Sequence, residues 1–261
     1  MGPWQLLKTD IRRGVGTIYL DNDQRFNTLH RDCILELRDA LKVLEDDTDV
    51  GCIVLTGDPG ESFAVGANIA EMKDFQPLDG WKFSQLGQGL FDQIEQAKKP
   101  VIAALNGITM GGGCDLALAC DIRLASDRLK IAHPGAKLGI ITGFCGTQKL
   151  PRIVGRNKAK EIFMTAGTYS AQEALRMKLI EQVYPAAQFM DSVRVYAEQI
   201  AAQPRQALQL AKKLLNAAEN VCLNNGQVME LGAFASLFPR AGTMERIDDF
   251  FAAHSRIDSP E

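Results

Sequence analysis

The segment Pro100–Cys120, PVIAALNGITMGGGCDLALAC, carries the strongest structural signal in the chain. Its first part, Val101–Leu105, is an uninterrupted apolar run that predicts a buried strand. An Asn-Gly pair and three consecutive glycines come next, and they lead into a short apolar helix predicted over Cys114–Cys120. Another strand, Ile122–Ala125, follows directly. The segment therefore predicts a strand, a sharp glycine turn, a helix and a strand in close succession.

Glycines 111–113 stand where the predicted helix begins. Three glycines lose much conformational entropy on folding, so such a run usually serves a sharp turn or a close approach of the backbone to another group. The unpaired N–H groups and positive dipole end of a helix start favour an anion. A phosphate cradle lacks its usual G-x-x-x-x-G-K-[ST] or G-x-G-x-x-G signature here. An oxyanion hole and tight helix–strand packing remain as interpretations.

Outward from this segment, short apolar runs alternate with stretches of helical periodicity through the first two thirds of the chain. Beyond residue 150 the pattern is almost entirely helical. The sequence therefore predicts an α/β core followed by a helical C-terminal part. The predicted strands are Thr17–Leu20 and Cys52–Thr56, and the predicted helices cover about 32–45, 81–97, 158–165, 189–202 and 206–217.

Composition excludes several functional classes. The 261 residues are 46% apolar and 23% charged with a net charge of −3, and no dense Lys/Arg block suggests nucleic acid or an anionic membrane as a partner. No signal peptide and no apolar run of about 20 residues is present, so we expect a cytoplasmic protein without a membrane segment. The six cysteines form no C-x-x-C pair and have no histidine at ligand spacing, so no metal site is expected.

Several motifs occur together in a characteristic order. In content and spacing they resemble the crotonase (enoyl-CoA hydratase/isomerase) superfamily over nearly the whole chain. The motifs are Ser62–Ile69, Pro100–Gly107, Gly111–Asp121, Leu138–Ile140, Gly146–Arg152, Thr165–Gly167 and Ala171–Leu175. The resemblance implies an α/β spiral of β-β-α turns over residues 1–200, which holds the CoA site and the active site. It also implies a helical region over residues 201–261 that covers the pocket and packs trimers, often paired into hexamers.

The resemblance also implies an activity. In the family, the carbonyl of an acyl-CoA thioester lies between two backbone N–H groups, which by position belong to Ala67 and Gly112 here. Each such donor typically contributes about 3 kcal/mol of transition-state stabilisation to an enolate. No cofactor is expected, since coenzyme A enters as part of the substrate.

Two positions depart from the family pattern. A typical hydratase uses two glutamates, and this chain has Asp115 at the first position and Gly135 at the second. Asp115 keeps a carboxylate for acid/base work, whereas Gly135 has no side chain to exchange a proton. His133 is a candidate for the missing proton relay, with a structural histidine as the alternative. The leading predicted activity is hydration of an enoyl-CoA or cyclic dienoyl-CoA. The alternatives are isomerisation, decarboxylation and non-catalytic CoA binding.

Binding residues are also carried over from the resemblance. CoA phosphates are expected to contact Arg25, Lys73 or Arg256, and an acyl pocket is expected from Phe75, Leu86, Leu90, Ile141 and Phe144. The residues assigned to substrate or CoA are Arg25, Phe26, Thr28, Leu29, Ala64, Gly66, Ile69, Gly111 and Gly135.

Overall fold

The computed structural model describes residues 4–22, 26–58, 60–238 and 241–254. The strands in these ranges are β1 (Leu7–Arg12), β2 (Val15–Leu20), β3 (Cys52–Gly57), β4 (Ser62–Ala64), β5 (Val101–Leu105), β6 (Ile108–Met110), β7 (Ile122–Ser126), β8 (Lys130–Ala132), β9 (Thr168–Ser170) and β10 (Gln182–Tyr184). The α-helices are α1 (Arg31–Asp46), α2 (Ile69–Met72), α3 (Pro77–Gln96), α4 (Gly112–Ala119), α5 (Gly146–Val154), α6 (Arg156–Thr165), α7 (Ala171–Arg176), α8 (Phe189–Ala201), α9 (Arg205–Ala218), α10 (Leu223–Ser236) and α11 (Ala241–His254). Short 3₁₀ turns cover Pro134–Leu138 and Ala186–Gln188.

The strands form two sheets, and from β3 to β8 successive strands alternate between them. The larger sheet has the order β1-β2-β3-β5-β7-β10, and the smaller one has the order β4-β6-β8-β9. Neighbours are parallel except for the β1/β2 and β8/β9 pairs. Because β3-β4, β5-β6 and β7-β8 each place one strand in each sheet, the chain advances as a spiral of β-β-α turns. The predicted α/β fold class is confirmed.

The sequence pattern explains the central elements. Strands β3 and β5 are buried at every position, as expected for parallel strands covered on both faces. Helix α1 buries one face through Ile34, Leu37, Leu41 and Leu44, which recur at helical spacing. One side of β3 and β5 and the buried face of α1 join a large apolar core that also contains Phe63 and Phe91, and the other side of these strands joins a smaller core with Phe189 and Val193. The core fixes the ends of β4 and β6, from which the site is built.

The chain divides into two compact units, Met1–Gln203 and Pro204–Glu261. The second unit contains α9, α10 and α11, and α9 packs against α10. None of the helices in the described part of the chain combines the length and apolar character that a bilayer-crossing segment requires.

Candidate active site

Two separate loops meet where α4 begins. Gly66, in the loop after β4, has φ +89°, and a Cβ atom there would lie 2.7 Å from the backbone nitrogen of Gly112. It would also lie 2.9 Å from the carbonyl oxygen of Met110. Only glycine fits such a close approach with positive φ. The turn that carries Ala67 is therefore held directly against the first residue of α4.

The three glycines of the sequence run serve three different needs. Gly111 has φ +51° and caps α4 without a side chain. Gly112 is the first helical residue and approaches Gly66. Gly113 packs on β4 so closely that a Cβ atom would lie 2.0 Å from the carbonyl oxygen of Ala64. Both the close packing and the anion-binding interpretation of this run therefore have a structural basis.

Ala67 and Gly112 lie at the same cavity. Both residues line a cavity of about 470 Å³. Among the described residues, neither N–H has a backbone or side-chain acceptor. The first N–H groups of a helix lack intrahelical partners, so Gly112 is a natural donor to a bound group. The structure thus brings together the two donors that the sequence predicted.

The walls of this cavity are mainly apolar. Ile141 and Phe144, expected to form an acyl pocket, do line it, whereas Phe75, Leu86 and Leu90 are not among its lining residues. Phe83 of α3 lines the cavity instead. Its ring packs against that of Phe144 with centroids 5.2 Å apart. The other apolar lining residues are Val65, Ile69, Met72, Leu138 and Ile140.

Asp115 lies on α4 with no exposed surface. Its Oδ2 accepts a hydrogen bond from the hydroxyl of Thr142, and its Oδ1 lies 2.8 Å from Nε2 of His133. Oδ1 and Nε2 are at ion-pair distance, although neither atom is aligned for a hydrogen bond with any described residue. Gly146 leaves the room for Oδ1, since a Cβ atom there would lie only 2.0 Å away.

The environment changes the proton affinity of this carboxyl. Complete burial raises the pKa of Asp115, because the charged form loses its hydration. Contacts with His133 and Thr142 and the charge of Lys149 oppose this effect without cancelling it. A raised pKa brings a carboxyl closer to the range in which it both accepts and donates a proton at neutral pH.

His133 is equally enclosed, with a side chain that is 2% exposed. Its ring packs on Phe163 with centroids 4.6 Å apart. Burial acts to lower its pKa, but the interactions with Cys114 and Asp115 outweigh burial and raise the pKa to about 10. His133 therefore meets Asp115, as a relay would, but also has a second protein partner.

Gly135 is closely covered by the following loop. A Cβ atom at this position would lie 2.9 Å from the carbonyl oxygen of Ile140, whose own N–H donates to the Gly135 carbonyl at 3.1 Å. Gly135 lines the cavity together with Ala67 and Gly112. A larger side chain would require the loop to move.

The loop predicted to contact CoA lies beside the Ala67 turn. Leu29 N–H donates to the Gly66 carbonyl at 2.8 Å, and its side chain is fully buried in the core. Phe26 and Thr28 remain partly exposed, and Ile69 is 50% exposed at the cavity. Ala64 is fully buried in β4, and it is not among the residues that line the cavity. Arg25 and Arg256 lie outside the described residues, and Lys73 is exposed after α2.

One site residue was not predicted from the sequence. Thr142 stands in a loop without periodicity, and only its contact with Asp115 reveals it. No group of three or more His, Cys, Asp or Glu side chains in the described ranges is placed to hold a metal ion.

The spiral, with a cavity at the start of α4, defines a crotonase-fold protein. The family model described as enoyl-CoA hydratase/isomerase matches residues 10–252. Crotonyl-CoA hydratase of Syntrophomonas wolfei is 35% identical over 90% of this chain and 91% of that protein. Short-chain-enoyl-CoA hydratase of Clostridium acetobutylicum is 36% identical over 86% of each. This chain belongs to the enoyl-CoA hydratase/isomerase family, and the resemblance seen in the sequence is confirmed.

Solved structures agree with this assignment. Enoyl-CoA hydratase from Bacillus anthracis superposes with a TM-score of 0.91 at 31% identity, covering 95% of this chain and 97% of that one. DspI of Pseudomonas aeruginosa gives a TM-score of 0.92 at 28% identity, covering 97% and 96%. The similarity therefore extends over both compact units and not only over the motifs.

Proposed function

We propose that this chain is an acyl-CoA lyase of the enoyl-CoA hydratase type, which adds water to an enoyl-CoA or cyclic dienoyl-CoA thioester or removes it. The observation that carries the proposal is that Ala67 and Gly112, whose N–H groups have no acceptor among the described residues, line one apolar cavity. The names of the relatives from S. wolfei and C. acetobutylicum support the reaction type.

In this proposal the thioester oxygen accepts hydrogen bonds from Ala67 N–H and Gly112 N–H. When water adds to the β-carbon, negative charge moves onto that oxygen and gives an enolate. Two fixed donors of about 3 kcal/mol each stabilise this charge without reorganising at the moment of reaction. The apolar walls strengthen both hydrogen bonds by excluding water.

Asp115 is proposed as the acid and base. It is a single carboxyl with a raised pKa, so it takes the proton of the attacking water and later returns it to the α-carbon. Gly135 supplies no second carboxylate, and one group therefore serves both half-reactions. The chemistry needs no cofactor, because the CoA thioester itself makes the α-carbon acidic.

CoA is proposed to lie along the loops that carry Phe26, Thr28 and Ile69, since these side chains are accessible beside the Ala67 turn. The glycines at 66, 111 and 135 would approach the acyl group through backbone atoms. A cytoplasmic location stays a prediction, as does phosphate contact by Arg25, Lys73 or Arg256.

A homotrimer or a dimer of trimers is proposed as the assembly. Helix α10 has no buried residue and exposes apolar side chains at Leu223, Val228, Leu231 and Phe234. Contiguous exposed apolar surface typically marks a protein interface. Sedimentation equilibrium on the whole chain tests this assembly, and a monomer at micromolar concentration would contradict it.

Gly135 favours a second candidate function, isomerisation or decarboxylation of an acyl-CoA, because neither reaction requires a second carboxylate. The proposals are separated by incubating the enzyme with crotonyl-CoA in heavy water. Loss of ultraviolet absorbance of the conjugated thioester indicates hydration, and deuterium incorporation without water addition indicates isomerisation. Release of CO₂ from a malonyl-type thioester indicates decarboxylation.

The variant Asp115→Asn tests the acid/base role, with Asp39→Asn on the exposed side of α1 as a matched control. Asp115→Asn is expected to lower kcat about 10²–10⁴-fold, the usual contribution of acid/base catalysis, while Asp39→Asn retains it. Normal CoA thioester binding with no turnover of any acyl-CoA by the unmodified protein would instead indicate a non-catalytic CoA-binding protein.

A further inference from the structure

Asp115 is separated from the space where a substrate would react. Its side chain has no exposed surface, and it is not among the residues that line the cavity. A proton that passes between this carboxyl and a substrate must therefore cross another group. Two cavity-lining residues contact the carboxyl, Thr142 at Oδ2 and His133 at Oδ1.

Thr142 has the hydrogen-bonding capacity that a relay needs. A hydroxyl has one donor and two acceptor sites. The donor is directed at Oδ2 of Asp115, and one acceptor site receives the N–H of Phe144 at 3.2 Å. The second acceptor site remains for a water molecule, and Thr142 is partly exposed at the cavity wall.

His133 is less suited to this task. Its side chain is only 2% exposed, and its ring packs on Phe163 while Nε2 faces Oδ1 of Asp115. The short contact between Nε2 and Oδ1 also lacks the alignment that proton transfer requires. These contacts fit a positioning residue that holds one oxygen of Asp115 and leaves the other directed at Thr142.

We propose that the hydroxyl of Thr142 relays protons between Asp115 and the substrate. This inference rests on the proposed hydratase function. In the first step, a water molecule bound to Thr142 forms its O–C bond to the β-carbon. Its proton moves to Oγ of Thr142 while the threonine proton moves to Oδ2 of Asp115. The electron pair of the C=C bond passes to the thioester oxygen as an enolate.

In the second step, the protons move back along the same path. Asp115 returns a proton to Thr142, the threonine proton bonds to the α-carbon, and the enolate electron pair forms that new C–H bond. Asp115 and Thr142 regain their starting states, and the substrate has gained one hydroxyl and one hydrogen. Removal of water from the product runs through the same steps in reverse.

Three variants test the relay. Thr142→Val keeps the shape but removes the hydroxyl, Thr142→Ser keeps the hydroxyl, and Thr147→Val is the control at an exposed threonine of α5. We expect Thr142→Val to lower kcat of crotonyl-CoA hydration about 10²-fold or more, the lower range for acid/base catalysis. KM and the Kd of the CoA thioester product should change little. Thr142→Ser and Thr147→Val should remain within a few-fold of the unmodified enzyme.

A proton inventory of the unmodified enzyme provides a measurement that a purely structural threonine would not affect. A relay moves two protons together, so the rate should depend on the deuterium fraction of the solvent along a curve. A linear dependence would overturn the relay, as would a Thr142→Ser variant as slow as Thr142→Val.

The relay and the proposed function fail in different ways. If Asp115→Asn is inactive while Thr142→Val keeps near-normal kcat, the relay is wrong and the acid/base role of Asp115 stands. His133→Gln then tests the other route, since loss of kcat in that variant would assign the proton path to His133. If both Asp115→Asn and Thr142→Val keep their activity, the acid/base part of the proposed function is also wrong.

Discussion

Adding one methyl group at Gly146 tests where the carboxylate of Asp115 lies. Gly146 is the first residue of α5, and a Cβ atom there would lie 2.0 Å from Oδ1 of Asp115 and 2.9 Å from Cγ2 of Thr142. Cβ atoms essentially never approach a heavy atom closer than 3.0 Å, so the carboxylate must move by about 1 Å or more. Its contact with His133 at 2.8 Å would then be disturbed.

Two effects of Gly146→Ala have usable magnitudes. Displacing a catalytic group by about 1 Å costs about 10²-fold in rate, so kcat should fall by that factor. Forcing an extra methyl group into a packed site costs about 1–3 kcal/mol, so the free energy of unfolding should fall by that amount. Substrate binding should change less than kcat, because the Ala67 and Gly112 amides are not displaced directly.

The assay combines steady-state hydration of crotonyl-CoA with urea unfolding followed by circular dichroism. Gly89→Ala on α3 is the matched control, because its Cβ atom would meet only Nη1 of Arg38 at 3.7 Å. An alanine within a helix is expected to stabilise that variant by about 0.5–1 kcal/mol. If Gly146→Ala kept kcat within two-fold and lost no stability, the placement of Asp115 described above would be wrong.

Three further predictions concern the same cavity. Gly135→Glu, which restores a second carboxylate, should lower stability by about 1–3 kcal/mol and raise no activity, because its Cβ atom would lie 2.9 Å from the Ile140 carbonyl oxygen; urea unfolding and hydration kinetics check this. The pKa of His133 is raised to about 10 from an ordinary 6.5, so its stabilisation is complete below pH 6.5 and is lost as the pH rises toward 10. Unfolding free energies measured across that range should therefore fall, and they should fall less in Asp115→Asn; a flat profile would contradict the pairing. Phe144→Ala should cost about 3–5 kcal/mol and shift kcat/KM toward bulkier acyl groups, because its ring fills the cavity wall; a series of acyl-CoA chain lengths measures the shift.

Long periodic segments were predictable from the sequence. The helix expected over about 32–45 is α1 at Arg31–Asp46, and the strand expected at Val101–Leu105 has those bounds in the structure. The smaller sheet was missed, because β4, β6, β8 and β9 have three residues each and alternation cannot be recognised over so short a run. Their pairing depends on the spiral, which no local pattern contains.

Some residues of the site could be predicted from local sequence pattern, and others become apparent only in the folded structure. The glycine run and its place at a helix start predicted backbone N–H groups without intrahelical acceptors, and Gly112 is the first residue of α4. The enclosure of Asp115 could not be read from the sequence, because His133 is 18 positions and Thr142 27 positions further along the chain. Only the folding of the chain on both sides of the Pro134–Leu138 turn brings His133 and Thr142 to one carboxylate.

The departures from the usual two-glutamate pattern form one consistent arrangement. An aspartate is shorter than a glutamate by one C–C bond, about 1.5 Å, so its carboxylate stays closer to the α4 backbone and further from the cavity. Gly146 leaves space for that withdrawn position, and the Thr142 hydroxyl lies between the carboxylate and the cavity. With the carboxylate enclosed, the Ile140 backbone can close over Gly135, where a second acid would otherwise need room. The glycine at position 135 and the enclosed carboxylate of Asp115 are thus compatible with one packing of the loop after β8 on α4.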